Sequence, residues 1–295
     1  MLPGPVYAER KTIMNKKLST PKTISGIVAA LLVLIAAQCL ALAAGEILLR
    51  QGIPGAICNV VTGVIYAALV CGLAALVCRK LLKVPPREMR LPGFSIRPIW
   101  LAAAVLMPLL LLGCCRIVGG HWERNFPAAG EAWAIVTGAV AFYGFAAGLA
   151  EEIVFRGLIM GCLEKRFGVP TAVLLPSLLF GAVHIIGNDL DPFSALQVLA
   201  AGSIVGILFS LIAMESGSVW NSAIVHGVWN LAVVGGIWQI GTAADPEAIF
   251  SFVLDNASFW LSGGEFGIEA SVLSVGIYLA FSVLAVMRMK KKAAV

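Results

Sequence analysis

Eight apolar stretches of about 20 residues divide this chain, at about 24–45, 54–78, 98–115, 132–163, 170–187, 193–214, 219–240 and 267–287. A run of that length crosses the hydrocarbon of a bilayer as a helix. In lipid every backbone group must bond inside its own segment, so such runs have little choice but to be helical. The expected fold class is therefore all-α: a polytopic membrane helix bundle with about eight transmembrane helices. The composition agrees, with 60% hydrophobic and 13% charged residues and a mean hydropathy of +0.94. Soluble domains are about one quarter charged. The fourth run, about 32 residues and about 48 Å as a straight helix, is too long for one crossing. It is expected to bend or break near Gly144 and Gly148, or to leave the bilayer at its outer end. The first run has a basic lead (Arg10, Lys11, Lys16, Lys17, Lys22) and an A-x-A-like end at Ala41–Ala43. Its apolar stretch exceeds the usual 7–15 residues of a signal-peptide core, so it is expected to stay as an uncleaved helix. Either Met1 or Met14 can serve as the start.

Orientation follows from Lys and Arg in the loops, which favour the cytoplasmic side. With the N-terminus inside, the inside segments hold 17 of the 21 basic residues: the five of the lead, then Arg79, Lys80, Lys83, Arg87, Arg90, Arg97, Lys165, Arg166, Arg288, Lys290, Lys291 and Lys292. The outside segments hold only Arg50, Arg116 and Arg124. The chain is thus expected to be an integral, multi-pass protein of the cell membrane with both termini cytoplasmic. Its basic residues are scattered over short loops without interleaved aromatics, so the lipid bilayer is the expected partner and nucleic acid is not. The seven cysteines lie in or beside apolar runs with no CxxC and read as small packing residues. Four segments are expected: a basic cytoplasmic tail (1–23), helices 1–3 (24–130), a core of helices 4–7 (131–240), and an outside loop, last helix and basic tail (241–295). Within the loop, AIFSFVLDNASFWL is read as an amphipathic surface helix or an ordinary surface loop.

Ionisable groups inside such a bundle are expensive and need a reason. The stretch AEEIVFRG (150–157) follows eighteen uncharged residues and brings Glu151, Glu152 and Arg156. Glu152 and Arg156 are four residues apart, share a helical face, and stand in the favourable order; they are expected to form an internal ion pair. Glu151 is rotated by about 100°, lacks a local partner, and should face a polar cavity. Two of the three histidines also lie in apolar runs. His184 closes FGAVH (180–184). His226 opens HGVWN (226–230), with Asn230 four residues on and on the same face. His121 lies in an outside loop and is expected to be solvated. Measured along each helix from the cytoplasmic edge, Glu151, His184 and His226 come to depths of about 15–21 Å, so one shared site is geometrically possible.

A carboxylate beside imidazoles can activate water as a general base. An imidazole and a carboxamide on one face can stabilise an oxyanion. Together they suit peptide hydrolysis without a covalent nucleophile. Glu151, His184 and His226 could equally hold Zn²⁺, since three ligands plus water is the usual catalytic arrangement. The cofactor is therefore none or Zn²⁺. There is no HExxH and no GxSxG.

EEIVFRG, FGAVH and HGVWN resemble the signatures EExxxR, FxxxH and HxxxN of the CPBP family, which comprises type II CAAX prenyl proteases and bacteriocin-processing or immunity proteases, also called the Abi family. The resemblance covers about residues 130–235. It implies an eight-helix fold with Glu151, His184, His226 and Asn230 in a catalytic cavity, Glu152 and Arg156 in support, and a site opening toward the cytoplasm. It also implies an intramembrane (metallo)endopeptidase acting on a membrane-associated protein or peptide. The alternative is a non-catalytic membrane immunity or scaffold protein that binds a peptide or partner protein; a transporter is the weaker third reading.

Overall fold

The computed structural model describes residues 17–293. Arg10, Lys11, Lys16 and Met14 lie outside the described residues. Among the described residues six helices are long and apolar enough to cross a membrane: α1 (Thr20–Arg50), α2 (Gly55–Leu82), α3 (Pro98–Val118), α4 (Ala129–Phe167), α6 (Pro192–Ser216) and α8 (Val272–Lys292). Two shorter apolar helices, α5 (Val169–Val183) and α7 (Val219–Val234), complete the bundle. The eight expected runs are therefore all helical, but the fifth and seventh stop early. At His184 the α5 helix gives way to a turn closed by Gly187 in the left-handed region (φ +85°). Asp191 then caps α6, accepting from the amides of Phe193 and Ser194. The Ser194 side chain, with those amides, holds the Asp191 carboxyl below the usual carboxylate range.

The long fourth run neither breaks nor leaves the bundle. It continues through two wide-turn π segments, Gly138–Ala147 and Ile153–Ile159, which flank a short regular piece, Gly148–Glu152. Such π segments recur at functional sites, and here they bracket both carboxylates. Gly144 and Gly148 serve close packing. A Cβ on Gly148 would lie 2.8 Å from the Gly227 Cα, so α4 and α7 touch backbone to backbone just below His226. On the other side, a Cβ on Gly202 would lie 2.7 Å from the Gly181 Cα, which seats α5 against α6 just below His184. Small residues permit such approach in membrane bundles.

Of the two readings of AIFSFVLDNASFWL, the amphipathic surface helix is not formed, and the stretch is more than an ordinary loop. That stretch supplies a strand, β3 (Phe250–Leu254), and a four-residue helical turn at Phe259–Ser262. β3 pairs antiparallel with β1 (Gly120–Arg124) and parallel with β2 (Trp238–Gly241). In FSFVL only Phe250 is exposed; Ser251 to Leu254 are all buried, as suits the central strand of a sheet covering the end of the bundle. His121 lies exposed on β1, near Glu123 and Asp255. All seven cysteines are unpaired thiols.

Candidate active site

The buried charges are joined in a chain. Arg156 Nη1 donates to Glu152 Oε1 at 2.8 Å, and both side chains are fully buried. His226 Nδ1 donates to the same Glu152 oxygen at 3.1 Å. The second ring nitrogen, Nε2, faces Glu151 Oε2 at 3.8 Å. Among the described residues that Glu151 oxygen has no hydrogen-bond partner, although it is buried. Two carboxylates thus flank one imidazole. Beside its expected pair with Arg156, Glu152 thus also holds the His226 ring.

Because a carboxylate can only accept, the Nδ1 contact assigns the His226 proton to Nδ1 in its neutral form. Nε2 then carries a lone pair toward the cavity. The same logic applies to His184, whose Nδ1 donates to the Phe180 carbonyl at 2.6 Å. That bond explains the FxxxH spacing, since a carbonyl four residues back lies under the ring. Phe180 does more than this. Its ring packs against His184 (4.6 Å between centroids) and His226 (5.8 Å), and Arg156 lies over it at 4.4 Å. Phe209 stacks on His226 from the other side, at 4.6 Å. Asn230 donates one amide hydrogen to the Tyr143 carbonyl at 3.3 Å, which fixes the carboxamide and leaves its second hydrogen free.

Glu151, His184, His226 and Asn230 all line one cavity of about 270 Å³. Its remaining wall is largely apolar, from residues such as Phe142, Val198, Val205 and Phe209. One further acidic wall residue carries no motif in the sequence. Glu269, just before α8, receives a hydrogen bond from Trp229 Nε1 at 2.9 Å. Its backbone carbonyl accepts from Tyr278 at 3.3 Å. Glu269 stands outside the three motifs, and its one sequence signal was an acidic residue at the foot of an apolar run.

The donor chemistry suits zinc in part: two imidazoles with Nδ1 engaged and Nε2 free, plus a carboxylate, are the usual ligand types. The spacing does not suit it. Among the described residues no three His, Cys, Asp or Glu side chains are grouped closely enough to hold a metal ion. Glu151, His184 and His226 share a cavity without forming a ligand set.

A helical membrane bundle that encloses carboxylates, imidazoles and a carboxamide in one cavity defines a class of polytopic membrane protein with a polar cavity among its helices. Residues 132–232, which hold all three motifs, match the family model described as Type II CAAX prenyl endopeptidase Rce1-like. Over that stretch, about a third of the chain, the protein is similar to this CAAX protease family. No curated protein and no solved structure matches the chain.

Proposed function

We propose that the chain is an intramembrane endopeptidase that cleaves a peptide bond of a membrane-associated protein or peptide with a carboxylate-activated water. The observation that carries this reading is the unpartnered Glu151 oxygen facing the free nitrogen of His226 in a cavity shared with His184 and Asn230. Two acceptors 3.8 Å apart can both receive hydrogens from one water, which polarises it for attack. In the attacking step the water oxygen bonds to the peptide carbonyl carbon. Its proton passes to Glu151, and the carbonyl electron pair moves onto oxygen. The free hydrogen of the Asn230 amide stabilises that oxyanion. On collapse the C–N bond breaks and Glu151 returns the proton to the departing amine. The Nδ1 bond to Glu152, itself held by Arg156, fixes the orientation of His226. That makes Glu152 and Arg156 positioning residues. His184 Nε2 can accept a substrate backbone N–H.

This assignment shifts the role expected for His226. It was paired with Asn230 as an oxyanion donor, but a neutral ring with its proton on Nδ1 serves better as an acceptor beside Glu151. Both termini are taken as cytoplasmic, on the loop charge asymmetry. The experiment is comparative peptidomics of cells carrying wild type or Glu151→Gln. The substitution keeps shape and removes the base, so at least one cleavage product should vanish while protein level and thermal stability stay unchanged. Identical peptide sets under all growth conditions would refute the enzyme and favour the scaffold reading.

A further inference from the structure

The position of the cavity along the bundle, set beside the charge at its two ends, restricts the substrate. One end is drawn together by ion pairs and hydrogen bonds: Lys165 to Glu88 at 2.7 Å, Arg90 to Glu164, Arg97 to Glu215 at 3.0 Å, and Lys292 to Glu215 at 2.6 Å. Arg166 also donates to Thr20 at the start of α1. The basic segments that are far apart in sequence therefore sit at one physical end. The opposite end is tied by the three-stranded sheet, by Asn125 donating to the carbonyls of Asp245 and Ala248, and by the Asp191 amide donating to Glu265. By the loop rule the first end is cytoplasmic and the second is not.

The cavity lies toward the second end. His184 follows the last residue of α5 at that end. The α6 residues on its wall run from Val198, in the first half of that helix, to Phe209, past its middle. On α7 the wall begins at His226 and ends at Val234, the last half. Phe266 and Glu269 precede α8 altogether. The deepest α6 wall residue, Phe209, lies six residues short of Glu215, about 9 Å from the basic end.

We infer that the site takes its peptide from the extracytoplasmic side. The substrate class is then an exported peptide or the outer juxtamembrane segment of a membrane-anchored protein, and a cytosolic chain end such as a prenylated C-terminus is excluded. This departs from the cytoplasmic opening that the family resemblance implied, because with the basic end inside the two expectations cannot both hold. Cleavage of such a segment rests on the endopeptidase reading; access to the cavity does not.

The test is labelling of intact cells with a charged, membrane-impermeant maleimide, before and after permeabilisation, with wild type and its native cysteines as the blank. Three variants are read: Asp189→Cys on the exposed turn after His184, Phe266→Cys on the cavity wall, and Arg87→Cys on the exposed basic end. The first two should label several-fold above wild type in intact cells, and Arg87→Cys only after permeabilisation. The reverse pattern would overturn the inference. As a readout that leaves the chain itself unaltered, phosphatase and fluorescent-protein fusions to the C-terminus of the full chain should be inactive and bright, respectively; active phosphatase would overturn it as well. Labelling needs no turnover. If it comes out as expected while Glu151→Gln leaves the peptide set unchanged, the access assignment stands and the endopeptidase falls.

Discussion

Replacing Arg156 by Met tests the buried charge chain most directly. The side chain is fully buried, and its loss strands Glu152, which is also fully buried. Breaking a buried pair from one side costs about 3–5 kcal/mol, since the remaining charge keeps its desolvation penalty. The guanidinium also lies over Phe180 at 4.4 Å and Phe209 at 5.2 Å, contacts worth about 0.5–2 kcal/mol. Its bond to the Gly206 carbonyl adds little, because that oxygen also accepts from Ser210 Oγ at 2.9 Å. Met fills much of the volume and offsets part of the loss, which leaves about 4–5 kcal/mol. Glu152→Gln should cost about 3–5 kcal/mol by stranding the guanidinium instead, while its amide oxygen still accepts from His226. At about 2–4 °C per kcal/mol, each single variant should melt roughly 6–20 °C lower. The double variant removes both charges and should recover most of the loss, giving a coupling of several kcal/mol. The assay is thermal unfolding of detergent-purified protein, supported by inactivation half-lives at one temperature, since such unfolding is often irreversible. Two results would refute the reasoning: single variants as stable as wild type, or a double variant that loses the sum of the two. The double variant should still turn over about 10–100-fold more slowly, the usual effect of removing a carboxylate that orients a histidine.

Asn230→Ala should lower kcat by about 10²–10³, the usual loss for one oxyanion donor, with little change in melting temperature; an unchanged kcat would remove Asn230 from the mechanism. Chelators should leave the purified enzyme active, and elemental analysis that found one zinc per chain tracking activity across Glu151, His184, His226 and Asn230 variants would reject the metal-free scheme. Gly202→Val places a Cβ 2.7 Å from the Gly181 Cα, and overpacking of this kind costs about 1–3 kcal/mol or more. It should reduce folded protein on size-exclusion chromatography, whereas Gly72→Ala, where a Cβ meets nothing within 4 Å, should not.

Hydropathy made the bundle legible because lipid leaves an apolar run little choice but to be a helix. It could not find the ends of α5 and α7. Ile185, Ile186 and Ile237 are as apolar as the helices they follow, and only the left-handed turns at Gly187 and Gly236 end them. The small sheet was hidden for a related reason. FSFVL reads equally as a strand or as part of an amphipathic helix, and its antiparallel partner, residues 120–124, is distant in sequence. The four cavity residues could be found because each is a polar group in a stretch where lipid would reject it. Glu269 could not, since it stands at the foot of an apolar run, where acidic residues are ordinary.

Adjacent helical residues point about 100° apart, yet Glu151 and Glu152 meet at one histidine. An imidazole has two nitrogens on different edges of its ring, so carboxylates set apart in direction can each meet one of them. Glu152 takes Nδ1 at 3.1 Å and Glu151 faces Nε2 at 3.8 Å. What allows this is the backbone contact of Gly148 with Gly227, which brings the His226 ring between the two carboxylates. The close approach of these two glycines is therefore what turns an ion pair and a lone carboxylate into one connected site.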